Sequence, residues 1–387
     1  MRNKNILSIA MLTGLMMAMP TQARIFYTAT HVGGPDNSIY AAGGYSGQYF
    51  DVNNKGQVIM RTMSLRFPKA PMLSFVSIAD KWIEINQNGL PPEAIGRIYK
   101  IPVDINNKGE VLAIAYTNDD GRHGFVASFS KTKDSVGNVT ITQVNRDLGR
   151  EIIGHAFNDN NQTVGDYRRI VDGQITDVQH AFLDSNGAFT DLGTLGGVNS
   201  LAYGINNRGQ VTGVSDTAHS ESHAFVLGHS RKSAMKDLGT LGGRYSIGKS
   251  INDSGQVVGD STVINKGVEY THAFVSNKHC LKDLGTLGGN NSFANKVNAK
   301  GQIVGKSDIA DGTSHAFVTV KDVMVDLNNL VDRKTLVDPT QIDPVTGLPV
   351  QVTLTNAISI NDKGEILADG FLLTPVPEHK HKKGYRK

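Results

Sequence analysis

The heptapeptide D-L-G-T-L-G-G begins at Asp191, at Asp237 and again at Asp283, with 46 residues from each start to the next. A fixed period of this size restricts the chain to repeat architectures, in which each copy is one supersecondary unit that buries its apolar face against its neighbours. A second element, I/V-N-x-x-G-Q/E-V/I, counts the copies. It carries its first Asn at Asn53, Asn106, Asn206, Asn252, Asn298 and Asn361, and a weaker copy at Asn158 has Asn161 in place of the glycine. Asn is the usual substitute where the backbone needs positive φ, so a turn is expected there too.

Each copy reads as a hairpin through N-x-x-G. A third strand follows at H-A-F, with His180, His223, His272 and His315, and His123-Gly124-Phe125 as a variant. A fourth leads into D-L-G at Asp191, Asp237 and Asp283. The turn positions 56, 109, 161, 209, 255, 301 and 364 are unevenly spaced. Uneven spacing suits variable loops between similar small sheets better than a stacked solenoid. The fold expected is all-β, a seven-bladed β-propeller of four-stranded antiparallel blades. Runs such as Ala273-Phe274-Val275 are apolar on both faces, as sandwiched sheets require. The small Ala202, Gly204 and Ala294 sit where first strands would crowd together.

The two ends complement each other. Residues 26 to 34 fill the slot of a fourth strand and its Gly-Gly turn with no strands before them, and the chain closes with a third strand and no fourth. The N-terminal strand is therefore expected to close the array beside the C-terminal ones, removing exposed sheet edges. The stretch from Asp332 to Val350, with Pro339, Pro344 and Pro349, reads as an exposed loop.

Residues 1–23 read as a signal peptide: Arg2 and Lys4, an apolar run from Ile6 to Met19, then Thr21-Gln22-Ala23. The remainder divides into one propeller domain, 24–377, and a basic, disordered tail, 378–387. No later segment approaches a membrane span. Export outside the cytoplasm, periplasmic or extracellular, is the expectation. The formal charge of +3 falls to about +1 without the signal and to about −4 without the tail cations, which argues against nucleic acid as a partner. Cys280 is the single cysteine, so no intrachain disulfide can form, and it reads as strand packing.

These linked motifs resemble the HAF-repeat family of extracellular bacterial repeat proteins. The likeness is strong over residues 180 to 320, and Phe371 to Glu378 resembles the family's last repeat. Many relatives continue from V-P-E-P into a sorting helix, whereas here His379 replaces the second proline and no helix follows. The resemblance implies secretion and a repeat architecture, and assigns neither activity nor catalytic residues.

Five histidines (123, 180, 223, 272 and 315) match metal ligands by residue type alone; on separate repeats they read as structural, each bonded within its own blade. Asp191, Asp237 and Asp283 read as caps on backbone N–H groups. The pieces from Asp51 and Asp104 lack the glutamate of a calcium loop and read as turns. No metal or cofactor is expected, and no nucleophile elbow, H-E-x-x-H or phosphate loop is present. The expected function is non-catalytic binding of a glycan or surface protein; a glycan hydrolase or lyase and a structural envelope component are the alternatives. Pattern-breaking residues mark candidate ligand contacts: Arg97, Tyr99, Glu151, Arg244 and Tyr245.

Overall fold

The computed structural model describes residues 26–32, 45–64, 73–78, 81–85, 99–116, 122–133, 139–172, 174–228, 234–277 and 280–376. Among these the chain is all-β, with seven four-stranded antiparallel sheets and one two-stranded sheet. Six of the four-stranded sheets are meanders that follow one another within residues 45–84, 99–150, 152–191, 196–237, 246–283 and 288–326. The seventh takes Ala357–Ile360, Ile366–Ala368 and Phe371–Val376 from the C-terminal side and Phe26–His31 as its outermost strand. Pairing runs from Phe26 opposite Val376 to His31 opposite Phe371.

The N-x-x-G-Q/E element explains itself at Asn206. Its Oδ1 accepts from the amides of Arg208 and Gln210, and its Nδ2 donates to Gln210 Oε1 at 2.8 Å. The second Nδ2 hydrogen goes to the carbonyl of Asn252, in the next sheet, at 2.8 Å. A buried amide is fully used this way, and the Gln or Glu supplies the acceptor that an apolar residue could not. Gly209 (φ 74°) closes the turn, and Asn161 takes the same conformation at φ 58°. The sheet-to-sheet bond recurs through Asn53, Asn106, Asn158, Asn206, Asn252 and Asn298, and Asn361 donates back to the carbonyl of Asn53. All seven sheets are thus linked in one circuit.

A second circuit runs beside it, each residue after the asparagine donating its amide to the equivalent Asn or Asp side chain of the next repeat. Six of the seven junctions carry this bond. At the seventh the partner of Asp253 is Ala299, which has no acceptor. Ala299→Asn should supply it and raise stability by about 0.5–1.5 kcal/mol, measured as a higher urea midpoint at unchanged slope.

Seven hydrophobic clusters fill the spaces between consecutive sheets. One of them, Val52 and Val58 with Leu367, joins the first sheet to the seventh. The H-A-F phenylalanines Phe182, Phe225, Phe274 and Phe317 are wholly buried, the last three in these clusters and Phe182 stacked on Phe189 of its own sheet. In three of the four H-A-F motifs the alanine also reaches its neighbour: Ala181, Ala224 and Ala273 donate their amides to Ser200, Ser246 and Ser292 of the next sheet, and Ala316 donates to Leu354 O. Each histidine pairs instead with the D-L-G aspartate of its own sheet, His180 with Asp191, His223 with Asp237 and His272 with Asp283. His315 meets Asp326, and His123 lies 3.5 Å from Asp147. The D-L-G partners are 40–44% exposed, because the fourth strand is the outermost, whereas Asp326 and Asp147 are 15% and 28% exposed. Those aspartates cap the following turn, accepting from Gly193, Gly239 and Gly285.

Two expectations are corrected. The stretch after Asp332 is not a plain loop: Val337–Ile342 pairs with Pro349–Gln351, since proline is admissible on an edge strand. Cys280 is exposed on the outermost strand of its sheet, where side chains meet solvent rather than a neighbouring layer. The signal segment 1–23, Arg97 and the tail 378–387 lie outside the described residues.

Candidate functional site

Every first strand carries a register shift just before its asparagine, leaving one residue unpaired. These bulge residues are Phe50, Val103, His155, Tyr203, Lys249, Asn295 and Ile358, and all seven line one cavity of about 330 Å³. The N-x-x-G turns border the same cavity. In the third to sixth sheets the bulge presses a carbonyl against the second strand. A Cβ on Gly165, Gly213, Gly259 or Gly305 would sit within about 2.0 Å of that oxygen, which is why Q-V-V-G ends in glycine. Sheets seven, one and two have Ala368, Met60 and Ala113 at this place.

The residues after the bulge bring polar groups together from four sheets, three of them ionisable. Lys296 of the sixth sheet donates to Asp51 Oδ1 of the first at 2.5 Å, and Ser359 of the seventh donates to the same oxygen at 2.5 Å. Asp104 of the second sheet lies 3.9 Å from Lys296 and accepts the Phe157 amide at 3.0 Å. Burial and the adjacent Asp51 charge, only partly offset by Lys296, push the Asp104 carboxyl up to about 8. Burial acts in the same direction on Asp51, but Lys296 and the hydrogen bonds from its neighbours outweigh it and hold that carboxyl below its ordinary range. At neutral pH the pair therefore holds one proton and one negative charge. On the opposite side Lys249 pairs with Asp260, and His155 meets Asp166 at 2.6 Å. The Tyr203 ring packs on His155 at 4.8 Å.

The sign of the resulting pH dependence is fixed. Asp104 titrates near 3.8 when unfolded and near 8 when folded, so folding takes up a proton between these values and stability falls as pH rises across that window. Asp260, also raised by burial, adds to the same slope. Asp104→Asn should lessen the stability lost between pH 5 and pH 8 by at least about 1 kcal/mol in paired urea titrations. An unchanged slope would place the proton elsewhere.

The residues chosen from the sequence fall differently. Tyr99 opens a first strand, opposite Tyr116. Glu151 is buried at φ 58°, between the second and third sheets, with Arg168 at 3.6 Å. Arg244 has 85% of its side chain exposed, with Glu221 at 3.8 Å, and Tyr245 is half-exposed beside it. Neither Glu151 nor Arg244 nor Tyr245 lines the cavity. Asp51 and Asp104, read as turn residues, do line it. The signal was present in the repeat alignment: the two residues before each I/V-N read F-D, V-D, H-A, Y-G, K-S, N-K and I-S, different in every copy, between positions that recur.

Among the described residues no group of three His, Cys, Asp or Glu side chains is placed to hold a metal ion, and no helix is long and apolar enough to cross a membrane. A family model described as "Protein of unknown function (DUF3466)" matches residues 242–385. No curated protein matches the sequence significantly. Among solved structures the chain is similar to TolB from Acinetobacter baumannii, at 9% identity over 72% of this chain and 77% of that one, TM-score 0.39. It is also similar to the β-propeller domain of the Trilobed protease from Pyrococcus furiosus, at 11% identity over 73% of this chain and 95% of that one, TM-score 0.36. A third similarity is to the Pyrococcus horikoshii acylaminoacyl peptidase, at 10% identity over 72% of this chain and 52% of that one, TM-score 0.36.

Proposed function

We propose that this chain is an exported, seven-bladed β-propeller, closed by its N-terminal strand, that binds a glycan in its axial cavity without transforming it. The observation that carries the reading is the bulge layer: seven repeats keep their framework residues and vary the bulge residue that each presents to a shared cavity. Framework repetition serves folding, whereas variation confined to a concave surface serves recognition. Seven four-stranded sheets, seven inter-sheet clusters and the asparagine circuit support the blade count. Export rests on the N-terminal segment and on the HAF-repeat resemblance.

The test is a glycan array probed with the protein from Arg24 onward. Saturable binding to one glycan class, weakened at least about tenfold by Tyr203→Ala, is the expected result. A blank array together with saturable capture of an envelope protein would replace glycan by protein. Fractionation of cells making the full chain tests export, and an uncleaved product in the cytoplasm would overturn it.

A second reading, glycan hydrolysis, is favoured by two carboxyls placed together on the cavity wall, Asp104 pushed up by burial and Asp51 held low by Lys296. Release of reducing ends from the bound glycan, lost in Asp104→Asn, would select it over simple binding.

A further inference from the structure

The cavity is not seven-fold even in character. Going round the sheets in order, seven, one and two present Ile358, Phe50 and Val103, an unbroken apolar arc; three to six present His155, Tyr203, Lys249 and Asn295, an unbroken polar one. The backbone divides at the same places. The sheets of the polar arc have the second-strand glycine pressed by the bulge carbonyl, and the sheets of the apolar arc do not. The next layer is divided as well. Lys296, Ser359, Asp51 and Asp104 reach toward one another from sheets six, seven, one and two, while Ala156, Gly204 and Ser250 of sheets three, four and five are small. Space is therefore left beside sheets three to five, within the polar arc, and taken up beside sheets six, seven, one and two.

We propose that the cavity takes a single pyranose unit at the end of a glycan, its C–H face against Ile358, Phe50 and Val103 and its hydroxyls on His155, Tyr203, Lys249 and Asn295. This rests on the glycan reading above. A sugar ring is one of few small molecules with an apolar face and an edge whose groups both donate and accept hydrogen bonds. The polar arc answers that edge: the Tyr203 hydroxyl can donate or accept, Asn295 offers Oδ1 as an acceptor while its Nδ2 is taken by Asn356 Oδ1 and Ala357 O, and His155 offers Nδ1 while its Nε2 meets Asp166. The Lys249 and Lys296 ammoniums already have carboxylate partners in Asp260 and Asp51, and the turns add the acidic Asp159, Asp253 and Asp362 to the wall, so the cavity disfavours an acidic sugar and suits a neutral one. A volume of about 330 Å³ lies at the low end of small-molecule sites, which run from roughly 300 to 1,000 Å³. The Asp51–Lys296–Ser359 contacts span three sheets below it, so a polysaccharide cannot pass straight through on that side.

The experiment is calorimetric titration of the protein from Arg24 onward with a panel of methyl pyranosides, then with the matching di- and trisaccharides. At least one methyl pyranoside should bind saturably, with its longer homologues gaining less than about tenfold. Ala156→Leu, which fills the space without removing a polar group, should weaken that binding at least about tenfold. Tyr203→Phe, which removes one hydroxyl, gives a second reading should Ala156→Leu fail to melt cooperatively, and it should weaken binding measurably. Binding of longer glycans with none of any methyl pyranoside would overturn the end-on pocket and leave the glycan function standing. Binding of neither would overturn both. Binding unchanged in both variants would move the site out of this cavity.

Discussion

Deletion of Phe26–His31 should abolish the cooperative thermal transition or lower its midpoint by at least about 10 °C. The strand supplies every partner of Phe371–Val376 on that edge. It also buries Tyr27 and Ala29 in the largest of the seven clusters, beside Leu327, Leu336, Leu354 and Phe371. Burying a side chain the size of Tyr27 contributes roughly 2–3 kcal/mol before its backbone bonds are counted. The strand's other edge is held as well: the Tyr27 amide donates to Leu330 O at 2.8 Å, Asp332 donates to Tyr27 O at 3.1 Å, and the Ala29 amide reaches Thr335 Oγ1 at 3.0 Å. Loss of six residues thus strips two neighbours at once. A truncated protein that melts at the parent's midpoint would show that the strand is an accessory, and would remove the argument for closure.

The second large effect is expected at the asparagine circuit. Asn252 is 5% exposed, donates to Gln256 Oε1 and to Asn298 O, and accepts from the amides of Ser254 and Gln256. Asn252→Ala leaves both amides and the Asn298 carbonyl without that partner, a cost of about 3–4 kcal/mol. Gln256→Ala removes a single acceptor at a partly exposed position and should cost about 1 kcal/mol. Equilibrium unfolding in urea separates the two. Equal values would mean that the turn itself, and not the bond to the next sheet, carries the stability.

The framework was legible because each repeat solves the same packing problem with the same residues. Asn at the turn, glycine or Asn161 at positive φ, and phenylalanine in H-A-F each answer a local demand that recurs in every copy, so the period exposed them. The site was harder to read for the converse reason. His155, Tyr203 and Lys249 come from three repeats and touch one space only after the sheets assemble, and nothing local marks a bulge residue. Arg244 broke the pattern more visibly, yet it projects into solvent from the turn between two sheets. Chemistry shared between copies, such as Lys296 with Asp51 across 245 residues, leaves no short-range trace at all.

The pairing of the first strand with the last has a mechanical consequence. Phe26 stands opposite Val376, so the outer ends of both strands emerge at the same end of the antiparallel pair. Tension applied between those two residues would load the hydrogen bonds one after another, peeling the strands from that end, where a shear geometry would load all of them together. The protein would therefore yield at low force when pulled between Phe26 and Val376.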